Sequence, residues 1–105
     1  MIRGEKELLY REAVRKWGKP LQIIMVMEEC AELTKECSKI LRNNCYPPDQ
    51  LRLGEEIADV SIMLEQLAQM FCGGMQFIDD HIKQEKLVKL SRMLKSKKGL
   101  KPKNK

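Results

Sequence analysis

Two pairs of carboxylates carry the chemical interest of this chain. Glu29 and Glu32 lie in Gln22-Ile-Ile-Met-Val-Met-Glu28-Glu29-Cys-Ala-Glu32-Leu33, and Glu56 and Asp59 in Gly54-Glu55-Glu56-Ile-Ala-Asp59-Val60. Each pair is three residues apart in the chain. On a helix this spacing sets both side chains on one face, with Cβ atoms roughly 5–6 Å apart. Between the motifs, Asn43-Asn44-Cys45-Tyr46-Pro47-Pro48 cannot continue a helix. A turn this short makes the flanking helices antiparallel neighbours. The first pair is centred about a dozen residues before Asn43 and the second about nine after Pro48, an axial mismatch of about 4–5 Å at ~1.5 Å per residue. The hairpin is therefore expected to bring four carboxylates to one height. Four anions held together repel, and a divalent cation resolves the conflict. Hard oxygen ligands suit magnesium or manganese. Glu28, Glu36 and Glu55 stand on adjacent faces as alternates. One Glu-x-x-Glu alone carries no signal, because glutamate is common on helix surfaces; two pairs in register within apolar surroundings do.

The elements that must position these pairs are helices. Leu9, Ala13 and Trp17 recur at four-residue steps, beside Tyr10 and Val14, and predict a first helix over residues 5 to 17. Gly18 stops it, and Pro20 suits the first turn of the next, where its missing N–H costs nothing. The second helix is expected from Pro20 to Arg42. Its early part, Leu21 and then Ile23 to Met27, is apolar on every face and needs cover all round. A partner chain supplies that cover most economically, so a homodimer or homotetramer is expected. The third helix is expected from Asp49 to Phe71, with Ile57, Val60, Leu64, Leu67 and Phe71 as its apolar stripe and Ile62, Met63 and Met70 outside it. Gly73-Gly74 ends it, and a fourth helix starts near Met75 and carries Ile78, Ile82, Leu87, Leu90 and Leu94. No stretch alternates with a period of two. The fold class is all-α with four helices.

Composition narrows the function. At 105 residues the chain is one domain. Its net charge of +5 is unevenly spread, since residues 86–105 hold nine Lys or Arg and no acid. The remainder holds eleven basic and fifteen acidic residues, a net −4, unlike a basic nucleic-acid-binding fold. Residues 96–105 read as a disordered basic tail behind a domain over residues 1–95. No apolar run approaches a membrane span, and the charged N-terminus is unlike a secretory signal, so a cytoplasmic protein without a membrane role is expected. Cys30, Cys37, Cys45 and Cys72 have no zinc-finger spacing and read as buried or idle thiols. His81 reads as a surface residue without triad partners, and no Gly-rich phosphate loop is present.

The two acidic motifs and their flanks, Glu28-Glu29-Cys-Ala-Glu32-Leu33 and Glu55-Glu56-Ile-Ala-Asp59-Val60, resemble the signature of the MazG-like, all-α nucleoside triphosphate pyrophosphohydrolases. The resemblance runs over roughly residues 15 to 95. It implies a MazG-like bundle completed by oligomerisation, and magnesium-dependent hydrolysis of ribo- or deoxyribonucleoside triphosphates to monophosphate and pyrophosphate. Glu29, Glu32, Glu56 and Asp59 would be the metal ligands, with Glu29 or Glu32 acting on the water that attacks the α-phosphorus. Trp17 and Gln22 fall near the family's base pocket. From the residues alone, Trp17 reads as a core anchor sooner than as a stacking surface, and Gln22 as a surface side chain. Lys83, Lys86, Lys89 and Arg92 occupy the region of a basic segment that faces the triphosphate. The chain departs from one common form of that segment, a lysine followed four residues later by asparagine. The alternative from another class is a non-catalytic helical oligomerisation module that binds nucleic acid through its basic tail.

Overall fold

The computed structural model describes residues 3–96. The expected disordered tail lies outside the described residues beyond Ser96. The described residues form helices only: α1 (Arg3–Trp17), α2 (Lys19–Arg42), α3 (Pro47–Phe71), a single turn α4 (Met75–Phe77), a π-helical segment (Ile78–Ile82) and α5 (Lys83–Lys95). The last three run on without a break and form the expected fourth helical rod. No helix among the described residues is long and apolar enough to cross a membrane.

The breaks between helices follow from backbone chemistry. Gly18 sits at φ 83°, a left-handed setting open to glycine at little cost, and its N–H donates to the Val14 carbonyl at 2.7 Å. At the hairpin, Asn44 and Cys45 both take positive φ, 52° and 59°. Asparagine tolerates that region, whereas cysteine does so under strain. Pro47 then opens α3, where a missing N–H is harmless. Asp49 clamps the turn. Its buried carboxylate accepts from Asn43 Nδ2 at 2.8 Å and from Arg52 Nη2 at 2.9 Å, and these two donors hold its pKa below the usual range. A lowered folded pKa means that this support is present above the ordinary aspartate value and lost as pH falls through the lower one.

Helices α2 and α3 form one long antiparallel seam. Its inward positions on α2 are Gln22, Val26, Glu29, Leu33 and Glu36, and on α3 they are Asp49, Leu53, Glu56, Val60, Met63 and Leu67, all buried or half-buried. Successive members are four and three residues apart, the spacing of helices that wind along each other. This corrects the expected stripe of α3. Ile57, Leu64 and Phe71 are exposed, while Met63, expected outside the stripe, is buried. The two stripes share Val60 and Leu67, and the hairpin uses the one that also carries Glu56. Among the described residues, only Tyr10, Val26, Val60, Met63 and Ala68 are buried apolar residues. The cysteines expected to be buried or idle are free and exposed.

Helix α1 is pinned to the far half of α3 by polar contacts. The Tyr10 hydroxyl donates to Glu65 at 2.6 Å, Lys6 pairs with the same oxygen at 3.0 Å, and Gln69 Nε2 donates to the Glu7 carbonyl at 3.1 Å. Burial, and then the bond to Glu65, push Tyr10 up to about 12. Beneath them Gln66 Nε2 donates to Gln22 Oε1, joining two buried amides across the seam. Gln66→Leu strands the Gln22 carbonyl in the interior and should cost about 1–3 kcal/mol of stability. Adding Gln22→Leu should recover most of that loss, because no polar group is then left alone. Urea titrations of the single and double variants check both.

Candidate metal centre

The seam places Glu29 opposite Glu56, between the apolar levels of Val26 and Leu33 on one helix and Leu53 and Val60 on the other. Glu29, Glu56 and Asp59 each offer a carboxylate oxygen within 4.8 Å of the others. Glu29 Oε2 and Glu56 Oε1 are buried and have no hydrogen-bond partner. Three acidic groups so close, two of them with stranded oxygens, are a costly arrangement unless protons or cations offset it. The strain shows in Glu56, which is pushed from 4.5 up to about 7. Its largest cause is Glu29, whose carboxylate accepts a hydrogen bond from Glu56 once Glu56 is protonated. Lost hydration follows, and then repulsion by Glu29, Asp59 and Glu32.

Three of the four expected carboxylates therefore converge, and the fourth stands apart. Glu32 is exposed and lies outside the close group, although its charge still reaches Glu56. Of the alternates, Glu36 is buried and bound to Lys39 at 3.1 Å, with its second oxygen unpartnered. Glu28 and Glu55 are exposed.

No family model matches this chain, and no curated protein or solved structure is significantly similar to it.

The remaining sequence-derived site residues are scattered. Trp17, expected as a core anchor or a stacking surface, is half exposed at the end of α1, with Lys16 Nζ 5.4 Å from its ring centre. Gln22 is neither a surface residue nor free to meet a ligand. It is the most deeply buried side chain; its oxygen is bonded to Gln66, and its amide turns to Met25 Sδ at 3.6 Å. Lys83, Lys86, Lys89 and Arg92 are all exposed on α5, whose main contacts are with the π-helical segment before it rather than with the hairpin. Within one chain the structure does not bring these cations to the carboxylates. His81 is exposed, as expected, and stacks at a tilt on Phe77 with ring centres 4.8 Å apart.

Sequence reading missed Asp49 and Gln66 on the α3 side of the hairpin and the Tyr10–Glu65 contact between α1 and α3. A signal existed for part of this. Gln22, Glu29 and Glu36 are seven residues apart in turn, as are Asp49 and Glu56, so polar side chains return to one face at every second turn.

The raised Glu56 value has a definite sign for stability. Between about pH 4.5 and 7 the unfolded chain gives up this proton while the folded chain keeps it. Glu56 therefore weakens the metal-free fold progressively across that window, and fully above it. Melting curves without divalent cation should fall as pH rises through the window, and Glu56→Gln should flatten that fall. Magnesium should raise the melting temperature more at about pH 8 than at about pH 5, because ionised carboxylates bind it better.

Proposed function

We propose that this chain is a magnesium-dependent nucleoside triphosphate pyrophosphohydrolase of MazG-like type, acting in the cytoplasm as a homodimer or homotetramer. The observation that carries the proposal is the close group of Glu29, Glu56 and Asp59, with two buried oxygens that lack any partner. A divalent cation fits this donor set: all donors are hard oxygens, and the repulsion that raises Glu56 is what positive charge would relieve. Magnesium, or manganese, would be held by Glu29, Glu56 and Asp59, with Glu32 at the rim. Bound there, it would supply positive charge to phosphate oxygens and a more acidic water.

The chain's own residues account for the rest of the reaction. Glu29 or Glu32 would take a proton from the attacking water, and Glu32 suits this role because it is exposed and outside the tight group. Water adds at the α-phosphorus, the bond to the bridging oxygen breaks, and pyrophosphate leaves with the monophosphate as second product. A cluster this acidic repels a bare triphosphate, so cations must face it across the substrate. Lys83, Lys86, Lys89 and Arg92 would do so from a neighbouring chain. Trp17, half exposed, offers a ring for a nucleobase.

Assembly is supported by the apolar surface that one chain leaves bare. Leu21, Ile24 and Met27 on α2 and Ile57, Leu64 and Phe71 on α3 are all exposed. The radius of gyration is 17.0 Å, against about 13 Å for a compact domain of this size. Such surface is what a partner chain buries.

Asp59→Asn keeps side-chain size but replaces a charged ligand with a weak neutral one. It should lower triphosphate hydrolysis by at least about a hundredfold, worth ~2.7 kcal/mol of transition-state stabilisation, while leaving the helical content intact. Product analysis with magnesium should find pyrophosphate and monophosphate, never phosphate and diphosphate. Full activity in folded Asp59→Asn would remove the chemical basis of the proposal. Nucleic-acid binding through the tail without hydrolysis would favour the non-catalytic module.

A further inference from the structure

A concave site lies where α1 packs beside the second half of α3. It is a cleft of about 470 Å³, within the range of small-molecule pockets. Arg11, Arg15 and Lys19 line it, and none of its lining residues is an acid. Arg11 and Arg15 are four residues apart on α1, so they share one face of the helix. Neither is paired with a carboxylate among the described residues. Lys19, in the first turn of α2, lies with its Nζ 5.4 Å from the Phe71 ring centre and likewise forms no ion pair there. Three cations that line one cleft without an ion pair among the described residues, in a chain whose first 85 residues are net acidic, mark this as a place for an anion from outside.

The floor narrows the choice. Tyr10 is buried and Val14 and Met70 are half-buried, giving an apolar bed beside the cations. Bare inorganic ions gain nothing from such a bed, but an organic oxyanion gains by covering its apolar body there. Gln69 also lines the cleft, and its amide is already committed to the Glu7 carbonyl, which holds the wall in place. The cleft is separate from the acidic group. Gln66, on its wall, stands seven residues beyond Asp59 on α3, roughly 10 Å along the helix.

We infer that the α1–α3 cleft is a metal-independent binding site for a small organic oxyanion, held by Arg11, Arg15 and Lys19 with its apolar body on Tyr10, Val14 and Met70. Arginine pairs bind planar carboxylates and phosphate esters alike through forked hydrogen bonds. The shared chemistry is an oxyanion on an apolar body. This inference does not depend on whether the carboxylates hydrolyse nucleotides.

The test is titration of the full chain with phenyl phosphate, benzoate and inorganic phosphate, with chelator present, followed by backbone and side-chain amide shifts. Phenyl phosphate or benzoate should shift residues around Val14, Gln69 and Met70, and should bind at least about tenfold more tightly than inorganic phosphate. Whichever of the two binds more tightly identifies the head group as phosphoryl or carboxyl. Arg11→Gln with Arg15→Gln should weaken binding at least about tenfold with the melting temperature preserved, since both residues are exposed. Lys35→Gln with Arg42→Gln, an equal charge change on exposed α2 positions, should leave affinity unchanged. Should the double arginine variant unfold, Lys19→Gln gives the same reading through a smaller loss. Absence of shifts in the cleft, equal binding by the arginine variant, or loss of binding in Asp59→Asn would each overturn the inference.

Discussion

Repulsion inside the α2–α3 seam is the constraint on which the rest of this structure depends. Glu29 and Glu56 face each other where a packed helix pair would ordinarily place two apolar side chains. Solvent exposure of both would remove the problem, yet the hairpin turns them inward. The surrounding levels show what holds them there. Val26, Leu33, Leu53 and Val60 lie immediately above and below and are buried or half-buried, so neither helix can rotate its acidic face outward without pulling apolar neighbours into water. The clamp at Asp49 fixes one end of the seam and the Gln22–Gln66 bond the other. The acidic pair thus lies between two hydrogen-bonded contacts, Asn43–Asp49–Arg52 at one end and Gln22–Gln66 at the other.

That layered seam also sets register. Polar levels alternate with apolar ones, and sliding one helix past the other would face carboxylates with aliphatic side chains and leave buried amides unpaired. Each such mismatch costs more than the matched arrangement gains. Specificity here comes from a few polar groups within a modest apolar interior, much as single polar residues fix alignment in coiled coils.

Much of this was legible in the residues. The turn at Asn43 to Pro48, the start of α2 around Pro20 and the stop at Gly73-Gly74 all follow from backbone preferences that act locally. Boundaries moved by a residue or two, as at Lys19 and Pro47. The convergence of three carboxylates followed from counting along two rods. Two things lay beyond that counting. The exposure of Glu32 depends on how the two rods rotate and slide against each other, a matter of fractions of a turn. The choice between the two stripes of α3 depends on which face α2 takes, and Val60 and Leu67 belong to both. Gln22 misled because a glutamine beside aliphatic residues reads as surface until its partner, 44 residues away, is known.

The π-helical segment at Ile78–Ile82 has a further consequence, for phase. Its N–H groups reach back five residues rather than four, so it takes in one residue more than an α-helix of the same rise. Each residue of an α-helix advances the side chains by about 100°. The faces of α5 are therefore offset by about a quarter turn from where an uninterrupted helix from Met75 would place them. The bearing of Lys83, Lys86, Lys89 and Arg92 is set by this one widened loop of backbone, not by any packing against the hairpin.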